Sequence, residues 1–258
     1  MGFRDKILVS LSLLLIALTL SQFLILTDQS KKFTVKGNYD PKLSRIRTIN
    51  DAVDHIKLKS QNSDSLTLLQ NAFNFLSNRF YHGTQRIEYQ NNCLAYILSS
   101  FWSDINMEVN EQNLIKGKVL VCNQASILSQ SVLNNLGFNT RSVHFNKHFS
   151  TEVFVKGNWY IFDPDYEPKF KFKSKILNSK HLIHQKKEFV NAYKHVKDEG
   201  YNKNYIDFLS TKKITYSYKK PALLLLTFQN FLWCFSWFGW VIPVVLLIIF
   251  NYGKRKIR

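Results

Sequence analysis

Cys122, His148 and Asp163 are the residues of this 258-residue chain whose types and order suit nucleophilic chemistry. A thiol attacks a carbonyl carbon as the thiolate, so its pKa must fall from about 8.5. A helix N-terminus helps, because its N–H groups and dipole favour an anion. Cys122 follows the short apolar stretch Val119-Leu120-Val121. It directly precedes residues 125–136, where Ile127, Leu128, Val132 and Leu133 recur at helical spacing. The same N–H groups suit an oxyanion hole. A histidine must share the thiol proton, and an acid must orient that histidine. His148 and Asp163 are the candidates for those two roles.

The rivals are weaker. His144 lies four residues before His148 and lacks a downstream glutamate at the matching offset. Asp165 falls beyond Pro164, in the expected turn, so Asp163 is the better-placed acid. His55, His82, His181, His184 and His195 show no metal-ligand spacing and read as surface or packing residues. There is no His-Glu-x-x-His and no Cys-x-x-Cys, so neither a metal nor a cofactor is expected. Three cysteines are too few for a disulfide scaffold. A Cys93–Cys122 disulfide would silence the nucleophile, and Cys234 reads as inert packing.

The elements that must position these residues follow from periodicity. Helices are expected over 46–56, 66–80, 92–102, 125–136 and 181–197, with Gly137 ending the fourth. The pattern then changes to period two. Strands are expected over 140–145, 151–156 and 160–162, and over 169–175 a lysine-rich strand that reads as a solvated edge or, as the alternative, a basic face for an anionic surface near the membrane. Helices segregated from an antiparallel sheet make an α+β domain. Gly157-Asn158 is the expected turn between the second and third strands. That turn sets Asp163 opposite Glu152 rather than His148, so a bulge or a bend before Thr151 is required for contact.

These residues resemble a known family. Cys122-Asn-Gln-Ala-Ser-Ile-Leu, then Leu136-Gly137-Phe138 with Arg141 and Val143, then His148-Phe-Ser-Thr-Glu152-Val153, then Gly157-Asn158-Trp159 and Asp163-Pro164 are similar to the transglutaminase-like core. The resemblance covers about residues 66–165 and is specific from Val121 onward. It implies a papain-like arrangement with Cys122 as nucleophile, His148 as general base and Asp163 as orienting acid. It also implies the His148–Asp163 contact, and structural roles for Glu152 and Trp159. Phe149-Ser150 departs from the family's usual Ala-Trp, and the Cys-to-His spacing is short.

Two charge-free apolar runs, 7–26 and 222–250, are each long enough to cross a hydrocarbon layer of about 30 Å. The first is longer than a signal-peptide core and has no good cleavage site, so it reads as an uncleaved anchor. The second is longer than one crossing requires. Its firm part is 231–250, with Gln229 and Asn230 near the interface. Between them, residues 28–220 read as one soluble domain carrying 29 Lys and Arg against 17 acids, a net charge of +12. Such a field suits anionic envelope polymer or lipid headgroups. No nucleic-acid motif is present. The basic C-terminal tail argues for a two-pass protein with an extracytoplasmic domain, against the lysines and arginines after the first run. The expected activity is cleavage or transfer of an amide acyl group from a peptide or protein, amidase or peptidase chemistry being favoured over cross-linking. The alternative is a catalytically silent scaffold module of a cell-envelope or polysaccharide assembly complex.

Overall fold

The strands expected after Gly137 pair into one antiparallel sheet. A computed structural model describes residues 2–27, 39–61, 63–146, 148–166, 180, 184, 187, 191–193, 214–217 and 222–256. The chain forms two units. One takes in Met1–Lys31, Arg86–Met107 and Leu224–Arg258, the other Lys32–Gln85 and Glu108–Leu223. Residues 86–107, read from sequence as part of a continuous soluble domain, therefore pack with the terminal helices.

The second unit carries the sheet. Helix α2 (Ile49–Lys59) starts where Thr48 Oγ1 accepts the Asp51 N–H, and α3 (Ser65–Arg79) where Asp64 Oδ1 accepts the Thr67 N–H. Strand β1 (Tyr81–His82) pairs in parallel with β2 (Val119–Leu120), Tyr81 opposite Val119 and His82 opposite Leu120. Helix α6 (Cys122–Asn135) follows at once. It ends as the sequence predicts: Gly137 has φ 90°, its N–H reaches Asn134 O, and the Phe138 N–H reaches Leu133 O. These bonds satisfy the last carbonyls in a Schellman motif, a backbone turn that glycine enters without strain.

Strands β3 (Asn139–Phe145), β4 (His148–Val155), β5 (Asn158–Phe162) and β6 (Thr215–Ser217) lie in the order β5-β4-β3-β6. The sequence reading did not include β6. Its three residues carry too short a pattern to stand out. Leu128, Val132 and Leu133 of α6 and Val143, Val153, Ile161 and Phe162 of the sheet are fully buried. Polar bonds fix how α6 meets β4. Ser126 Oγ donates to Ser150 O at 2.9 Å and lies 3.0 Å from Thr151 Oγ1.

The β4–β5 turn corrects the sequence reading. Val155 pairs with Asn158, so the two turn residues are Lys156 and Gly157, not Gly157 and Asn158. Both have positive φ, 48° and 80°. Such a turn matches the right-handed twist of the flanking strands. Moving the turn by one residue moves the register by two. Thr151 faces Phe162, and the ladder, continued, sets Asp163 beside Ser150 on the face His148 shares. No bulge interrupts it.

In the first unit, α1 (Phe3–Leu24) is long and apolar enough to cross a membrane. The second apolar run is not the straight crossing expected over 231–250. It divides into α7 (Leu223–Phe238) and α8 (Val241–Lys256), bent by 59° at the break. A Cβ on Gly239 would lie 2.5 Å from Phe235 O, so only glycine fits there. Pro243 sits in the first turn of α8, where a missing N–H costs nothing. Gln229, expected near the interface, is buried, and its Nε2 donates to Ile105 O at 2.9 Å and Met107 O at 2.7 Å. The helix α4 (Cys93–Leu98) belongs to the same unit, and the one-turn helix α5 (Glu111–Leu114) to the other. The expected strand 169–175, His181, His195 and most of the helix 181–197 lie outside the described residues.

Candidate functional site

Cys122 is the first residue of α6, one turn earlier than the periodic apolar residues indicate. Its N–H therefore belongs to the turn that has no carbonyl within the helix to bond. Strand β2 delivers it there, and a buried glutamine holds the junction. Gln124 Oε1 accepts the Gln85 N–H at 3.0 Å and the Val121 N–H at 3.4 Å. Its Nε2 donates to Gln85 O at 2.7 Å and Glu108 O at 2.8 Å. Every polar atom of this fully buried amide is thus engaged. The sequence motif that includes Gln124 assigns it no role. Its type gave no signal, because its four partners come from three separate segments.

His148, the first residue of β4, is fully buried. Its Nε2 lies 2.8 Å from Asp163 Oδ2. Nε2 is thus the nitrogen engaged by the carboxylate, and a ring nitrogen of His148 lies within 4.8 Å of the Cys122 sulfur. Burial alone would lower the His148 pKa. The charge and hydrogen bond of Asp163, with a smaller contribution from Cys122, outweigh burial and raise it to about 10. Asp163 is held in turn: its Oδ2 accepts the Tyr193 hydroxyl at 3.1 Å, and its Oδ1 accepts the Tyr166 N–H at 3.3 Å. Burial, and then Asp163, push the Tyr193 hydroxyl well above its ordinary pKa, so it stays a donor. The Tyr166 ring stacks on His148 with centroids 4.1 Å apart and planes 4° from parallel. The three candidates taken from the sequence thus come together. The two tyrosines were not foreseen, Tyr193 because it lies 30 residues beyond Asp163.

Two residues set aside in the sequence reading also reach this place. By sequence Asp165 ranks below Asp163, and His82 reads as a surface or packing residue. In the structure His82 Nδ1 lies 2.7 Å from Asp165 Oδ1, and the Asp165 side chain is only 1% exposed. One ligand atom each from Cys122, His148 and Asp165 lies within 4.8 Å of the other two. The parallel β1–β2 pairing explains how His82 arrives: it stands opposite Leu120, two residues before Cys122. Nothing in local spacing could reveal a contact between residues 83 positions apart.

The remaining residues take supporting places. Glu152, fully buried, forms an ion pair with Arg141, its direct cross-strand partner. The Arg141 guanidinium lies 4.1 Å from the ring centroids of both Trp159 and Tyr216. His144 is exposed on β3 and stacks on Phe149 at 4.2 Å. His55 sits against Phe75, its pKa lowered first by burial and then by Lys59. His184 is exposed. Cys93, Cys122 and Cys234 are all free thiols, so no disulfide blocks Cys122. No family model, curated protein or solved structure matches this chain.

Proposed function

We propose that this chain is a membrane-anchored thiol acyl-transfer enzyme of the transglutaminase-like kind, acting as an amidase or peptidase. The observation that carries the reading is one geometry. A thiol at a helix start lies within 4.8 Å of a ring nitrogen of His148, and that ring is held by a buried carboxylate 2.8 Å from its Nε2. That is the nucleophile, base and orienting acid in their required order.

The cycle needs no group beyond these three. An imidazolium beside the sulfur stabilises the thiolate of Cys122. Sγ bonds to the amide carbonyl carbon, and the oxyanion forms against the N–H groups of the first turn of α6. His148 gives its proton to the leaving nitrogen as the C–N bond breaks, and a thioester remains. Water then attacks the thioester carbon while His148 takes its proton. The C–S bond breaks, an acid leaves, and the thiolate–imidazolium pair is restored. An amine in place of water would make a cross-link by the same steps. Asp163 keeps the ring oriented throughout, and Tyr193 and Tyr166 hold Asp163 and the ring.

Helix α1 serves as the anchor in this reading, with α7 and α8 as a second membrane element and the catalytic unit on the extracytoplasmic side. Substrates are then peptide or protein amides at the cell envelope, and the +12 charge of residues 28–220 favours anionic surroundings. The test uses the full chain in detergent with an electrophilic amide probe. Wild type becomes labelled and Cys122→Ala does not. Labelling unchanged in Cys122→Ala removes the nucleophile. A wild type that is never labelled leaves the scaffold alternative standing.

A further inference from the structure

The triad accounts for Asp163 but leaves a second buried carboxylate, Asp165, beside the same thiol. We infer that Cys122, His148 and Asp165 together form a binding site for a zinc-like divalent cation, which switches the thiol off.

The donor set is the first argument. A thiolate, an imidazole and a carboxylate are zinc's three ligand types, and the sulfur disfavours calcium and magnesium. Their nearest ligand atoms lie within 4.8 Å of one another. In a tetrahedral zinc site, with bonds of about 2.0–2.3 Å, ligand atoms stand about 3.5 Å apart. Side-chain movement of about an ångström therefore closes the site. Three protein ligands leave a fourth position for water, the arrangement of open zinc sites.

The second argument is what stands behind each ligand. A metal-binding histidine gives its other ring nitrogen to a carboxylate, and ligating carboxylates are themselves hydrogen-bonded. His148 has Asp163 on Nε2 at 2.8 Å. Asp165 has His82 on Oδ1 at 2.7 Å. Both supporting contacts are present in one place, although the sequence has no metal-ligand spacing. Asp165 and His148 are buried, while Cys122 is partly exposed and gives the ion its way in.

Binding is a balanced exchange. From the thiolate–imidazolium pair one proton, that of the His148 ring, goes to solvent, and the lone pairs of the sulfur and of the freed ring nitrogen go to the metal. The thiolate and the Asp165 carboxylate offset its two positive charges. A coordinated sulfur cannot attack an amide, so the metal form is the silent form. The inference shares Cys122 with the proposed enzyme but does not require the enzyme reading to hold.

The test is a cobalt(II) titration of the full chain in detergent, followed by absorbance. Wild type is expected to show a thiolate-to-cobalt charge-transfer band together with the intense visible bands of tetrahedral cobalt. Cys122→Ala should lose the charge-transfer band. Asp165→Ala should bind at least tenfold more weakly, and His82→Gln about 10–100-fold more weakly, the loss usual for a supporting contact. His82→Gln decides the matter if Asp165→Ala does not fold. Zinc should displace the cobalt and, added alone, block labelling by the amide probe. An absent charge-transfer band in wild type overturns the inference, as does unchanged affinity in His82→Gln. Because cobalt binding is read without activity, a failed amide probe would remove the enzyme and leave the metal site standing.

Discussion

Breaking the Arg141–Glu152 pair should cost the unit that carries the sheet several kcal/mol. Glu152 is fully buried on β4, four residues from His148, and the Arg141 side chain is 11% exposed. Glu152→Ala leaves a guanidinium held between two rings without its counter-charge. Removing one partner of a buried pair costs about 3–5 kcal/mol. The stacking on Trp159 and Tyr216 survives this change and keeps the loss near the lower end. Arg141→Ala should cost more, because it removes the charge partner of a carboxylate with no exposure and also two cation–π contacts worth about 0.5–2 kcal/mol each. For a unit of this size, 1 kcal/mol moves Tm by about 2–4 °C. Glu152→Ala should therefore lower Tm by roughly 6–15 °C, and Arg141→Ala by more. Replacing both residues by methionine should recover most of the loss, since well-packed apolar pairs match buried ion pairs in stability. The assay is thermal unfolding of the full chain in detergent, arranged as a double-mutant cycle. A Glu152→Ala loss below about 1 kcal/mol would refute the reasoning, because that is the worth of an exposed pair.

Four further outcomes are expected. Gln124→Leu should cost about 2–4 kcal/mol by stranding backbone groups of Gln85 and Glu108, and should slow probe labelling by displacing Cys122; melting and labelling rate read the two effects. Burial raises the Glu108 pKa above 4.5, against the hydrogen bonds of Asn110 and Asn113. The folded state then holds the proton more tightly than the unfolded state, so stability falls as pH rises through 4.5 toward the raised value. Glu108→Gln should abolish that fall, as denaturant midpoints across the acid range would reveal. Lys156→Asn should stabilise by about 0.5–1 kcal/mol, because asparagine tolerates positive φ better, and the exposed Lys156–Asp64 contact it removes is worth little. Finally, a tag inserted after Ser63 should be cleaved by protease added outside intact cells; protection there, with cleavage in inverted vesicles, would reverse the proposed orientation.

Local pattern made much of the fold legible. The apolar spacing of Leu128, Val132 and Leu133, closed by Gly137, marked α6, and period two marked β3, β4 and β5. These signals are written within a few residues of where they act. The register was not legible, because it turned on whether Lys156 or Asn158 occupied the turn. A lysine at φ 48° is not a residue that sequence rules place there. The site divides in the same way. Residue order together with the family resemblance singled out Cys122, His148 and Asp163. The partners that hold or rival them, Tyr193, Gln124, His82 and Asp165, are chosen by pairings across 16 to 83 residues. The break at Gly239 was equally hidden, since hydropathy counts apolar residues without sensing direction.

By itself the sequence determined α6 and strands β3 to β5 in outline, the apolar helix α1, and which side chains could do thiol chemistry. Periodicity, capping and residue chemistry are properties of the local chain. Only the tertiary structure decided that Asp163 reaches His148 without a bulge and that a second histidine–carboxylate pair stands beside the sulfur. Those facts depend on strand register and on the parallel β1–β2 contact, which are set by packing between distant segments.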